Sequence, residues 1–176
     1  MNKSFIYILL NVVLCIMCKL QMRVMHTSIL KFFPQLKLHH IVLISKLDVM
    51  ERYSYVYAID FTPINQSHPK TLRRLLLGKN VPAELRIRRL QNINIRDDKT
   101  ILKMWDFNLS ESRSRELSNS VYTSIQDKEI KEVIALFLLW EKNKQHMNLY
   151  ARNCQHFGNY AKSNHRIYME EQSLEM

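Results

Sequence analysis

Apolar and polar positions follow three different patterns along this 176-residue chain. The first is an uninterrupted run: Phe5 to Cys18, FIYILLNVVLCIMC, carries no charge, with Lys3 before it and Lys19 and Arg23 after it. A short positive start and an apolar run of this length have the form of a signal peptide. The run is shorter than the roughly 20 apolar residues that a spanning helix uses. The pattern predicts a signal peptide or membrane anchor over residues 1–25 and a folded domain over residues 26–176.

The second pattern has the short period of strands. QLKLHHIVLIS (Gln35 to Ser45) is rich in β-branched residues with partial alternation, and YSYVYAIDF (Tyr53 to Phe61) mixes aromatic and β-branched residues. Both read as strands, and the intervening KLDVMER makes them an antiparallel hairpin. Thr62-Pro63 stops the second strand, since proline has no N–H for the ladder. AELRIRRLQNINI, with Leu85 and Ile87 between basic residues, predicts a third strand with one polar face.

The third pattern is helical. In HPKTLRRLLLGKN the leucines at 72, 75 and 76 share a face and Gly78 stands at the C-cap, which predicts a short helix. Residues 96–127 are polar and mixed, with no clear period. DKEIKEVIALFLLWEKNK is the clearest helix: Ile130, Val133, Ile134, Phe137 and Leu138 fall at helical spacing behind Asp127. A last helix begins at NCQHF and runs toward Met169. The fold class expected is α+β: a small antiparallel sheet in the middle of the chain, with helices after it.

Composition narrows this further. A chain 47% hydrophobic and 24% charged can bury a core and is not a disordered segment. The net charge of +10 favours an anionic partner. From Lys70 to Arg96 there are eight basic residues against Glu84 alone, which suggests contact with a membrane surface through segment 70–96. No aromatic–basic interleaving supports a nucleic-acid module. Of the three cysteines, Cys15 and Cys18 lie in the leader, so Cys154 has no partner for a disulfide within the domain. One cysteine and scattered histidines give no ligand spacing, so neither a metal nor another cofactor is expected. Asn65-Gln66-Ser67 and Asn108-Leu109-Ser110 are glycosylation sequons, compatible with a secretory or membrane-associated location.

The chemistry centres on Cys154. Asn153 is a favoured N-cap residue, which places Cys154 in the first turn of the last helix. The partial positive charge there stabilises a thiolate. A nucleophilic thiol also needs a base close in space. His39 and His40 lie on a predicted strand that could aim an imidazole, whereas His156 stands about 200° around the helix from Cys154. Asp60, in an otherwise apolar strand beside the histidine strand, calls for a partner. These residues allow a Cys–His–Asp site. They equally allow a buried free cysteine with two unrelated strand histidines.

NCQHF resembles the Asn-Cys-Glu-His-Phe signature of the lecithin:retinol acyltransferase-like proteins, a permuted branch of the papain-like NlpC thiol enzymes, with Gln155 in place of glutamate. In that branch a strand histidine comes first and the cysteine comes late, at a helix start. HHIVLI is similar to the family's histidine strand, with His40, or less closely His39, in the position of the base, and IDFTP places Asp60 where a second polar member stands. The tryptophan that follows the family's histidine is absent here. The resemblance implies a permuted papain-like fold and acyl transfer or hydrolysis of a lipid ester through a cysteine thioester. In it Cys154 is the nucleophile, His40 or His39 the base, and Asp60 the orienting group. The partner implied is a phospholipid or other acyl substrate. PPPDE-type deubiquitinating peptidases share the same order, so an isopeptidase is an alternative, as is a non-catalytic domain that binds a membrane or partner.

Overall fold

A computed structural model describes residues 20–27, 39–46, 55–65, 68–91, 93, 95–104 and 111–174, the side chains of 111–114 and 165–174 excepted. Its centre is an antiparallel sheet of β1 (Leu20–Thr27), β2 (His39–Lys46), β3 (Tyr55–Pro63), β4 (Val81–Gln91) and β5 (His146–Met147), in that spatial order. The helices are α1 (Pro69–Leu76), α2 (Asp98–Met104), α3 (Glu111–Thr123), α4 (Lys128–Asn143) and α5 (Cys154–Leu174). The expected α+β class is therefore found. Its second and third strands are antiparallel neighbours, with Ile41 opposite Asp60 and Val42 opposite Ile59.

The uninterrupted Ile41–Ile44 run has a direct cause. β2 is an interior strand, and side chains alternate between two covered faces. On one face Val42, Ile44, Tyr57, Ile59, Phe61, Leu85 and Ile87 pack with Val121, Val133, Phe137, Phe157 and Ala161 from α3, α4 and α5. On the other, Met25, Ile41, Leu43, Val56, Ala58 and Leu90 pack with Ile93, Ile95 and Ile101. That second layer explains a difference from expectation. The polar face of β4 is not solvated: Arg86 and Arg88 are buried at 3% and 7% exposure. They cannot belong to a basic surface running from 70 to 96, which among the described residues is confined to shorter stretches such as Lys70–Lys79.

Four elements, β1, α2, α3 and β5, were not read from the sequence. The domain boundary at residue 25 falls inside β1, where Leu20 to Thr27 pair residue by residue with Lys46 to His39. The leader run itself, with Cys15 and Cys18, lies outside the described residues, as do the 47–54 connection and the Asn108 sequon. Residues 96–127, without clear period, hold α2 and α3. β5 is only two residues long and covers just Val81 and Pro82 of β4. Beyond it, the Leu85 N–H donates to Glu141 Oε1 (2.9 Å) and the Ile87 N–H to Ser118 Oγ (3.1 Å). Side chains of α4 and α3 thus satisfy ladder donors that would otherwise be left exposed on an open edge.

Two helix termini follow the sequence signals closely. Asp127 caps α4 by accepting from the Ile130 N–H, and Gly78, just past α1, takes a positive φ of 67°. No described helix is long and apolar enough to cross a membrane.

Candidate active site

α5 starts where it does because Asn153 caps it. The Asn153 side-chain oxygen accepts from the N–H groups of Gln155 (2.9 Å) and His156 (3.2 Å), while its amide donates to the Leu149 carbonyl (2.6 Å). His156 Nδ1 turns back onto the same residue, so this exposed imidazole belongs to the cap and not to the thiol. The cap sets Cys154 in the first helical position, 3% exposed and in no disulfide among the described residues. Phe157 and Ala161, three and seven residues on, are fully buried and anchor this face of α5 on the sheet. Gly158 brings the helix close to β2: a Cβ there would lie 3.6 Å from the His40 Cβ and 3.5 Å from Val24.

The two histidines at the start of β2 point to opposite faces, yet both reach the thiol. His40 Nδ1 lies 3.7 Å from Cys154 Sγ, and the His26 ring packs edge-on against His40 at 4.5 Å between centroids. His39 also hydrogen-bonds Cys154. Its Nε2 is 3.0 Å from Asp60 Oδ2, which leaves Nδ1 as the nitrogen available to the sulfur. Both contacts are possible because the thiol sits at the end of the sheet, where first residues of a strand from either face can be met.

The expected pairing of Asp60 with His40 does not occur, and the register gives the reason. Asp60 is opposite Ile41, and residues 39 and 41 share a face from which 40 points away. Asp60 therefore meets His39. It is completely buried and is held from its other side by Arg86, whose Nε and Nη2 lie 3.1 and 2.6 Å from the two carboxylate oxygens. This fork is the geometry that a guanidinium offers a carboxylate. Arg86 is the residue that sequence reasoning missed, because it read as one of many surface cations. The signal was its position in strand alternation, between core residues Leu85 and Ile87 and on the face that Asp60 also occupies.

The electrostatics follow from these contacts. Burial would raise the Asp60 carboxyl, but the Arg86 charge and the His39 hydrogen bond hold it at about 2. Burial would lower the His39 imidazole, but hydrogen bonds to Asp60 and then to Cys154 raise it to about 9. Burial would raise the Cys154 thiol as well. Hydrogen bonds from His39 and then His40, with the His39 charge, bring it down to about 6. His39 acts on the thiol more strongly than its neighbour because Asp60 stabilises its positive form. Between these two values the favoured state is a thiolate–imidazolium pair on a permanently ionised Asp60–Arg86 base.

All four residues singled out in the sequence, Cys154, His39, His40 and Asp60, are thus brought together, with Arg86 added behind them. Among the described residues no cluster of His, Cys, Asp and Glu could hold a metal ion. No protein-family model, curated protein or solved structure matches this chain.

Proposed function

We propose that this chain is a cysteine-dependent acyl-transfer enzyme on a permuted papain-like fold, acting on a lipid ester. The observation that carries the reading is the ordered line Cys154–His39–Asp60–Arg86 at a capped helix start. It supplies a nucleophile, a base and an orienting group in hydrogen-bonding sequence. The chain order, histidine strand first and cysteine helix last, supports the permuted fold, as does the resemblance of NCQHF to the acyltransferase signature.

In this mechanism the Cys154 thiolate adds to the ester carbonyl carbon, and the electron pair of the C=O moves to oxygen. The N-terminus of α5 stabilises that oxyanion through its backbone N–H groups and dipole. When the tetrahedral species collapses, the bond to the leaving alkoxide breaks and His39 delivers its proton to that oxygen. A thioester on Cys154 remains. Water or an acceptor amine or alcohol attacks it with His39 now taking a proton, and the thiolate leaves. Asp60 holds the His39 tautomer throughout, Arg86 keeps Asp60 ionised, and His40 adds a second hydrogen bond to the sulfur.

Intact-mass spectrometry after incubation with phosphatidylcholine tests this. A fatty-acyl mass on Cys154, removable by hydroxylamine and absent from Cys154→Ala, is the expected result. Absence of any acyl adduct from wild type on both vesicles and a short-chain monodisperse ester overturns it. Cleavage of a ubiquitin isopeptide without lipid acylation favours the peptidase chemistry on the same residues.

A further inference from the structure

α1 buries none of its residues fully, although it carries Leu72, Leu75 and Leu76, with Leu77 at its C-cap. Only Leu75 packs against the core, at its edge. Leu76 and Leu77 are each 62% exposed, and Leu72 is exposed beside them. Between them stand Lys70, Arg73, Arg74 and, past the helix, Lys79, all solvent-facing. Arg74 spends one donor on the Asn80 carbonyl at the C-terminus of the helix, and no carboxylate pairs with any of the four among the described residues. Tyr150, 71% exposed, lies against Gly78, whose Cβ position is 3.0 Å from its ring.

This surface is tied to the thiol. β3 ends at Pro63 and β4 begins at Val81, so α1 spans the same end of the sheet as the start of β2. Asn148 donates to the Gly78 carbonyl (2.5 Å) and to Asn80 Oδ1 (3.2 Å), and it pairs through its backbone with Arg152. Asn153 and Cys154 follow directly. The charge is one-sided as well: residues 64–83 and 142–169 contain no Asp or Glu.

We propose that α1, the 77–80 turn and Tyr150 form a docking surface for a bilayer containing anionic phospholipid. Leu72, Leu76 and Leu77 would enter the acyl region, Tyr150 would sit at headgroup level, and Lys70, Arg73, Lys79 and Arg152 would meet the phosphates. A basic amphipathic helix with leucines on one side binds an interface in this manner. Exposed leucines are what decide for lipid over another polyanion, since RNA phosphates would engage the cations and leave the leucines in water. The surface stands on its own geometry; its use, to present lipid esters to Cys154, rests on the acyl-transfer reading above.

The test reports on position 77 itself, so that membrane contact by any other part of the full chain does not enter it. In a Leu77→Trp variant, vesicles of phosphatidylserine with acyl-brominated phosphatidylcholine should quench and blue-shift emission beyond the wild-type background. Vesicles lacking phosphatidylserine should do so much less. Lys70→Glu with Arg73→Glu on this background should weaken the signal by about fivefold per charge removed, more at low salt than at high. Unquenched, water-like emission at position 77 with bound vesicles overturns the docking surface. So does equal quenching without anionic lipid, or an RNA mobility shift in place of vesicle quenching. The two readings fail separately. Acylation of Cys154 by a monodisperse ester without quenching removes only the docking surface, and quenching without acylation removes only the chemistry.

Discussion

The thiolate of Cys154 is the property on which the site turns, and replacing His39 by alanine isolates its cause. An ordinary thiol here would titrate at 9.0, whereas Cys154 is held at about 6. That displacement corresponds to ~4 kcal/mol of preference for the thiolate, at about 1.4 kcal/mol per pH unit. At pH 6 about half of the wild-type thiol is ionised, against about one part in a thousand for an ordinary one. Removing His39 deletes the leading hydrogen bond and the charge, and leaves burial and His40 in place. The titration midpoint should therefore rise by at least one pH unit toward 9.0. His40→Ala should move it less, because the imidazolium that Asp60 stabilises remains. Difference absorbance near 240 nm, with Cys154→Ser as the reference, follows the thiolate without requiring a reagent to reach a buried sulfur. Alkylation rate at a single pH is a poorer assay, because a low-pKa thiolate is intrinsically about ten- to thirtyfold less nucleophilic and offsets much of its larger ionised fraction. A wild-type midpoint above about 8, or an unchanged midpoint in His39→Ala, refutes the ion-pair account.

Arg86→Met should cost ~3–5 kcal/mol in urea unfolding, since it leaves a buried carboxylate with only His39 to balance it. Asp60→Asn with Arg86→Met should cost less than the two single changes added together, and additivity would show that the pair is not coupled. His39 has a raised folded value, so its stabilising contribution is complete below the unfolded 6.5 and is lost as pH rises through about 9. Asp60 has a lowered one, so its contribution is present above 3.8 and is lost as pH falls toward about 2. The Cys154 thiol, lowered from 9.0 to about 6, gains over neutral pH to pH 9 what His39 loses, so thermal stability of wild type should stay nearly flat there, and Cys154→Ser should expose a decline toward pH 9. Phe157→Ala, at a fully buried position joining α5 to α4, should cost ~3–5 kcal/mol by calorimetry and also raise the Cys154 midpoint as the helix start loosens.

The local elements were legible wherever one residue type controls a backbone choice. Asn153 and Asp127 marked helix starts, Gly78 marked the end of α1, and the β-branched residues between Gln35 and Ser45 marked a strand. α4 could be read from its apolar spacing alone. The candidate thiol, its two histidines and Asp60 were readable too, because each is a chemically costly residue in a patterned setting. β1 was not, since its alternation merges into the apolar leader, and β5 is too short to carry a period.

Most of the elements, and the reactive residue types they carry, can thus be read along the chain. The tertiary structure alone decided their partners. Whether Asp60 serves His39 or His40 depends on register, since a slip of one residue exchanges the two faces of β2. Whether Arg86 is a surface cation or the buried support of Asp60 depends on which face of β4 is covered, and that cover comes from Ile93, Ile95 and Ile101, which follow the strand in the chain. Charge and alternation are local properties of a strand; burial is set by what packs on it.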